Sequence, residues 1–190
     1  MRHTVIPNMR IDHIINEIRD TLTGTFAEID TWFDKGPVLR SAVPPGGGWT
    51  IDQILEHISL TNHFLLIIIE KGTRKALANA AKTDLQAALQ DYQFHRDQLD
   101  EVGMHRSFSW IRPAHMQPTG LPSPDAVRLL LKSQVAQCLG YLALLSNGEG
   151  ALYKTTMSVN SLGKIDVYEY IYFLAQHGRR HIGQMEAILK

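Results

Sequence analysis

The feature that most constrains this chain is a three-and-four spacing of apolar residues that returns in long segments. Ile11, Ile14, Ile15, Ile18, Leu22 and Phe26 keep that spacing, which puts them on one face of a helix. The pattern predicts a first helix from about Met9 to Phe33, stopped at Gly36-Pro37. Pro44-Pro45-Gly46-Gly47-Gly48 cannot continue a helix and must be a loop. A second helix starts just after Trp49, with Thr50 as N-cap and Gln53 completing a capping-box pattern. Ile54, Ile58, Thr61, Leu65 and Ile68 trace its core stripe, and Gly72 is expected to close it.

Leu85, Leu89, Tyr92 and Leu99 form a thinner stripe in a third helical stretch, about Asp84 to Val102. Pro113, Pro118, Pro122 and Pro124 then break regular structure. Ser123-Pro124-Asp125 reads as an N-cap with proline in the first turn, opening a fourth helix that runs to about Ser146 and ends at Asn147-Gly148. Residues 149–165 read as irregular, with a short extended piece at Tyr153 to Val159 and no alternating strand pattern. The last helix begins near Asp166 and runs nearly to Lys190. Long helices with short connections predict an all-α antiparallel bundle.

With 190 residues, the chain has material for one sizeable core, so a single domain over residues 1–190 is expected. Lys+Arg and Asp+Glu both number 19, giving a formal net charge of zero. A balanced chain has no long-range field to gather nucleic acid or an anionic membrane. The longest apolar run, Phe64 to Ile69, is far short of the roughly 20 residues that span a bilayer. Met1 to Pro7 holds no apolar run of signal-peptide length, so the expected location is cytoplasmic. The one cysteine, Cys138, sits in a helical pattern and reads as a small buried hydrophobe.

Position must decide which of the nine histidines matter. On the last helix, Val167, Ile171, Leu174, Gly178, Met185 and Leu189 define the inward stripe, and His177 and His181 lie within or beside it, one turn apart. Two imidazoles so spaced can converge on one ion. Gly178 and Gly183 would let a neighbouring helix or ligand come close. His57 falls on the inward side of the second helix, between Ile54 and Thr61. A buried polar ring needs a partner, and a third imidazole from a facing helix would complete a three-histidine set. Spacing alone leaves two readings open: a metal pair joined by His57, or hydrogen-bonded core histidines. His63 falls on another face, and His13, His95, His105 and His115 read as surface or loop residues. Glu56 reads as a solvated charge; Thr61 and Gln184 stand one turn from His57 and near His181.

Several of these motifs resemble one family. Gly48-Trp49-Thr50 followed by Glu56-His57-Ile58 is similar to the DinB-like (YfiT-like) pattern of a Trp-Ser/Thr helix start and an inward histidine. Ser161 to Glu169 resembles the glycine-containing lead into the family's last helix, and Phe173 to Met185 resembles its H-x-x-x-H helix. Trp110 to Pro124 is similar to a proline-containing segment in some members. The resemblance implies a four-helix bundle with up-down-down-up connections, to which the third stretch is an added element. It implies a divalent ion, zinc or nickel, on His57, His177 and His181, and a homodimer.

Some relatives transfer low-molecular-weight thiols, and many have no established activity. The leading expectation is therefore activation of a thiol or a water for attack on a small-molecule substrate, with a low-molecular-weight thiol as co-substrate in the transferase case. Two alternatives stand beside it: a metal-dependent hydrolase, and a non-catalytic metal-binding dimeric module.

Overall fold

A computed structural model describes residues 7–108 and 113–189, and side chains from residue 11 onward within them. Trp110, where the proline-containing segment begins, lies outside the described residues, as do Met1 to Ile6 and Lys190. Four long helices carry the fold: α1 (Pro7–Trp32), α3 (Ile51–Ala80), α6 (Pro124–Leu144) and α7 (Val167–Ile188). Short helices α2 (Pro37–Ser41), α4 (Leu85–Leu89) and α5 (Arg96–Gly103) fill the connections. Among the described residues the only sheet is a hairpin, β1 (Lys154–Met157) antiparallel to β2 (Gly163–Asp166), with Thr155 opposite Ile165.

The long helices pack in a ring: α1 against α7, α7 against α3, α3 against α6, and α6 back against α1. The chain is thus an all-α helical bundle, and α5 is added on the outside of α7. One continuous apolar cluster fills the ring, with Ile18, Leu22, Ile54, Ile58, Ile171 and Leu174 fully buried. These residues belong to the stripes read from spacing. No helix among the described residues is long and apolar enough to cross a membrane.

Local signals were followed at the helix starts. Thr50 caps α3 reciprocally with Gln53: the Gln53 amide donates to Thr50 Oγ1 at 3.2 Å, and the Thr50 amide donates to Gln53 Oε1 at 3.0 Å. Ser123 caps α6 ahead of Pro124, and Asp166 caps α7.

Four expectations are corrected. Gly72 does not end α3, which continues to Ala80. Its missing side chain instead admits Val167, whose Cγ2 would lie 3.0 Å from a Cβ at that position. Packing at the α3–α7 contact outweighs the weak helix propensity of glycine. The stretch from Asp84 to Val102 is not one helix: it breaks between Leu89 and Arg96 so that Leu89, Tyr92 and Leu99 can all be buried. Within residues 149–165 the extended piece expected at Tyr153 to Val159 is present as β1, but its partner β2, which begins at Gly163, falls in chain read as irregular. Leu189, placed on the inward stripe of α7, is 48% exposed because it lies beyond the helix end.

Candidate metal centre

The second turn of α3 and the second half of α7 each bring histidine to the bundle interior. His57 is 5% exposed, His177 2% and His181 8%. Ring centroids lie 5.3 Å apart for His57–His177, 4.8 Å for His57–His181 and 4.5 Å for His177–His181. One nitrogen from each ring can be chosen so that all three lie within 4.8 Å of one another, a group that could hold a metal ion. His177 Nε2 and His181 Nε2 face each other at 3.1 Å. Nitrogens about 2.1 Å from a tetrahedral ion are about 3.4 Å apart, so these two rings already stand at ligand spacing.

Second contacts decide where the protons sit. His57 Nδ1 lies 2.7 Å from the carbonyl oxygen of Met116. A carbonyl can only accept, so Nδ1 carries the proton and Nε2 the lone pair. His181 Nδ1 lies 2.8 Å from Gln184 Oε1, which likewise draws the proton to Nδ1. Metal-binding histidines are oriented by such outer partners. The donor set therefore fits a divalent ion: His57 and His181 carry their protons on outward Nδ1 atoms, which leaves Nε2 of each ring able to face an ion.

The electrostatics agree with neutral rings. Burial pushes the His177 imidazole well below its ordinary value, with His181 and His57 adding to the effect. Burial, with the nearby His57 adding to it, pushes His181 down to about 3. A neutral imidazole is the form that binds metal.

Several neighbours set the shape of the site. The Trp49 ring lies 4.8 Å from that of His57, tilted by 46°. Gly178 lets α1 come close: Ile29 Cδ1 would lie 3.0 Å and Thr25 Cγ2 3.2 Å from a Cβ there. Gly183 gives the same freedom to His105, whose own Cβ would lie at 3.2 Å. Arg180, between the two histidines of α7, donates to the carbonyl oxygens of Met104 and Phe108 and to Ser107 Oγ.

His63, His13 and His115 are exposed and stand outside the cluster, as the sequence suggested. His95 lies in a loop, as expected, and there its amide and its Nδ1 both reach Glu169 Oε1, at 2.9 Å and 2.5 Å. His105 is half-buried and its imidazole is lowered mainly by burial. Thr61 is buried, with Oγ1 3.9 Å from Met116 Sδ, and Gln184 orients His181 instead of facing water.

Glu56 is the largest correction. It is 4% exposed and binds a strap of chain that crosses the start of α3. Thr119 donates to its Oε1 through both amide and hydroxyl, each at 2.8 Å, and the Gly120 amide donates to Oε2 at 2.7 Å. A glutamate beside an inward histidine offered no local sign of this, because its partners are more than sixty residues away.

No curated protein and no solved structure matches the chain. Residues 39–185, a span that contains α3, α6, most of α7 and all three clustered histidines, match the sequence model of the DinB superfamily, and the chain belongs to that superfamily.

Proposed function

We propose that the protein is a metal-dependent enzyme that holds a divalent ion, zinc or nickel, on His57, His177 and His181 and activates a small nucleophile there, a low-molecular-weight thiol in the first instance. The observation that carries this reading is the inward aim of three neutral imidazoles, with outer acceptors on His57 Nδ1 and His181 Nδ1. Three uncharged ligands leave the full charge of a divalent ion at the site, and that charge lowers the pKa of a thiol or a water into the neutral range. Three protein ligands are also one fewer than a closed structural zinc site uses.

The chain's own groups favour a thiol over water. A thiol ionises near pH 8.5 in any case and needs little help from a base. Glu56, the carboxylate beside His57, is already engaged by three donors from Thr119 and Gly120. Trp49 covers one side of His57 and limits water there. The proposal includes a small-molecule electrophile as substrate and a homodimeric assembly. Leu129, Leu130 and Leu144 offer apolar surface on α6 for a second copy, at 71%, 45% and 59% exposure. A cytoplasmic location suits the buried free thiol of Cys138, pushed up to about 12 by burial.

The test is a titration of tag-free protein with zinc and with nickel, beside His181→Ala. One equivalent bound by the wild type and none by the variant is the expected result. Thiol transfer to a generic alkylating electrophile should then require both the ion and an added thiol. Absence of binding by the wild type overturns the metal reading; hydrolysis of esters without thiol overturns the choice of nucleophile.

A further inference from the structure

Glu56 and His57 are consecutive residues of α3, and both bind the same strap, residues 113–121. The strap enters through a single 3₁₀ turn, Ala114–Met116, whose last carbonyl accepts from His57 Nδ1. Three residues later the amides of Thr119 and Gly120 converge on the Glu56 carboxylate, one on each oxygen. Successive amides can point the same way because Gly120 adopts φ +70°, a conformation that a side chain disfavours. The Thr119 hydroxyl also donates to Glu56 and accepts from the Leu121 amide at 3.2 Å. The carboxylate thus accepts three hydrogen bonds, and charge-assisted bonds of this kind are about twice as strong as neutral ones. Thr119 and Gly120 are themselves exposed.

The consequence concerns a proton on His57. Free neutral imidazole favours the tautomer with hydrogen on Nε2, which closes that nitrogen to a metal. The Met116 carbonyl reverses this preference by accepting from Nδ1. It can do so only while the strap is held at the correct height over α3. We propose that Glu56 is a positioning residue of the metal centre: its grip on Thr119 and Gly120 holds the Met116 carbonyl on His57 Nδ1 and so keeps His57 Nε2 presented to the ion. The inference rests on the metal reading above. Glu56 is not itself a ligand.

The experiment uses Glu56→Gln, which keeps the shape but turns an acceptor-only group into one that meets backbone amides with a donor. The His57 ring is read by ¹H–¹⁵N correlation in metal-free protein at pH 8, where imidazole is neutral. The wild type is expected to show the Nδ1–H tautomer, and Glu56→Gln a mixture shifted toward Nε2–H. Zinc titration should give affinity lowered about tenfold, the scale of outer-contact losses at metal sites. Thr119→Ala, which removes one donor of three, should shift both readouts in the same direction by less, about threefold in affinity.

A folded Glu56→Gln protein with an unchanged tautomer and zinc affinity within twofold overturns the inference. If that variant does not fold, Thr119→Ala decides in its place by the same two readouts. If the wild type binds no zinc, the metal reading fails, while the tautomer measurement still judges the link from Glu56 to His57.

Discussion

Helix α7 buries polar groups at both ends, and the two ends solve the problem in opposite ways. At its start, Glu169 and Asp166 are both fully buried. Glu169 Oε2 accepts from the Asp166 amide at 2.9 Å, Asp166 Oδ1 accepts from the Glu169 amide at 3.1 Å, and Glu169 Oε1 takes two donors from His95. Acidic groups there meet the positive end of the helix and satisfy its first amides. From the middle of the same helix onward, His177 and His181 turn nitrogen toward nitrogen and toward His57. His177 Nε2 and His181 Nε2, 3.1 Å apart, can share one proton or take a cation between them. The acidic cluster is held by donors from the backbone and from His95; the histidine cluster gathers ring nitrogens into a group that could hold a cation. Burial of a polar cluster is therefore a weak sign of function, and the direction of its donors and acceptors is a strong one.

The contrast can be broken first by deleting a ring. His177→Ala should lower zinc affinity about a thousandfold, equivalent to about 4 kcal/mol, while metal-free stability to denaturant changes much less. Equal loss of stability and affinity would make the histidine end structural too. The acidic end should answer in reverse. Glu169→Ala strands the His95 and Asp166 amides and should destabilise the protein by about 3 kcal/mol in urea unfolding, with zinc affinity per folded molecule within a few-fold of wild type.

A third, smaller effect sharpens the comparison through pH. His181 is held down to about 3 in the folded state by burial, against about 6.5 in the unfolded chain. Above pH 6.5 the ring is neutral in both states and contributes nothing to the pH dependence. As pH falls from 6.5 toward 3, the unfolded chain takes up a proton that the folded site refuses, so stability is lost. The slope should be about 1.4 kcal/mol per pH unit for each such ring. Urea unfolding of metal-free protein between pH 6 and 4 measures it, and the double variant His177→Ala/His181→Ala should flatten it. Bound zinc should steepen the loss, since acid also releases the ion.

Much of the helical frame was legible because it is local. Apolar spacing found α1, α3 and α7, the Ser123-Pro124 cap and the Asn147-Gly148 stop found α6, and Thr50 and Asp166 marked two further starts. Where local signals misled, a distant contact had overruled them. Gly72 looks like a stop but serves as a socket for Val167. His95 is the loop residue it looks like, yet its support of Glu169 was not readable. The role of Glu169 in the α7 capping box was also missed, although Asp166 and Glu169 have the right spacing for it. Of the hairpin, the extended piece around β1 was legible and β2 was not, because Gly163 to Asp166 becomes a strand only by pairing with β1.

The sequence by itself determined which faces of the helices are apolar and that His177 and His181 share one of them, because a repeat of 3.6 residues fixes neighbours at i and i+4. Only the tertiary structure decided that His57 meets that pair, and that Glu56 closes on a strap 63 and 64 residues further along the chain. No rule of local spacing relates such positions. They are brought together by the packing of α3 against α7 and by the strap that crosses the start of α3.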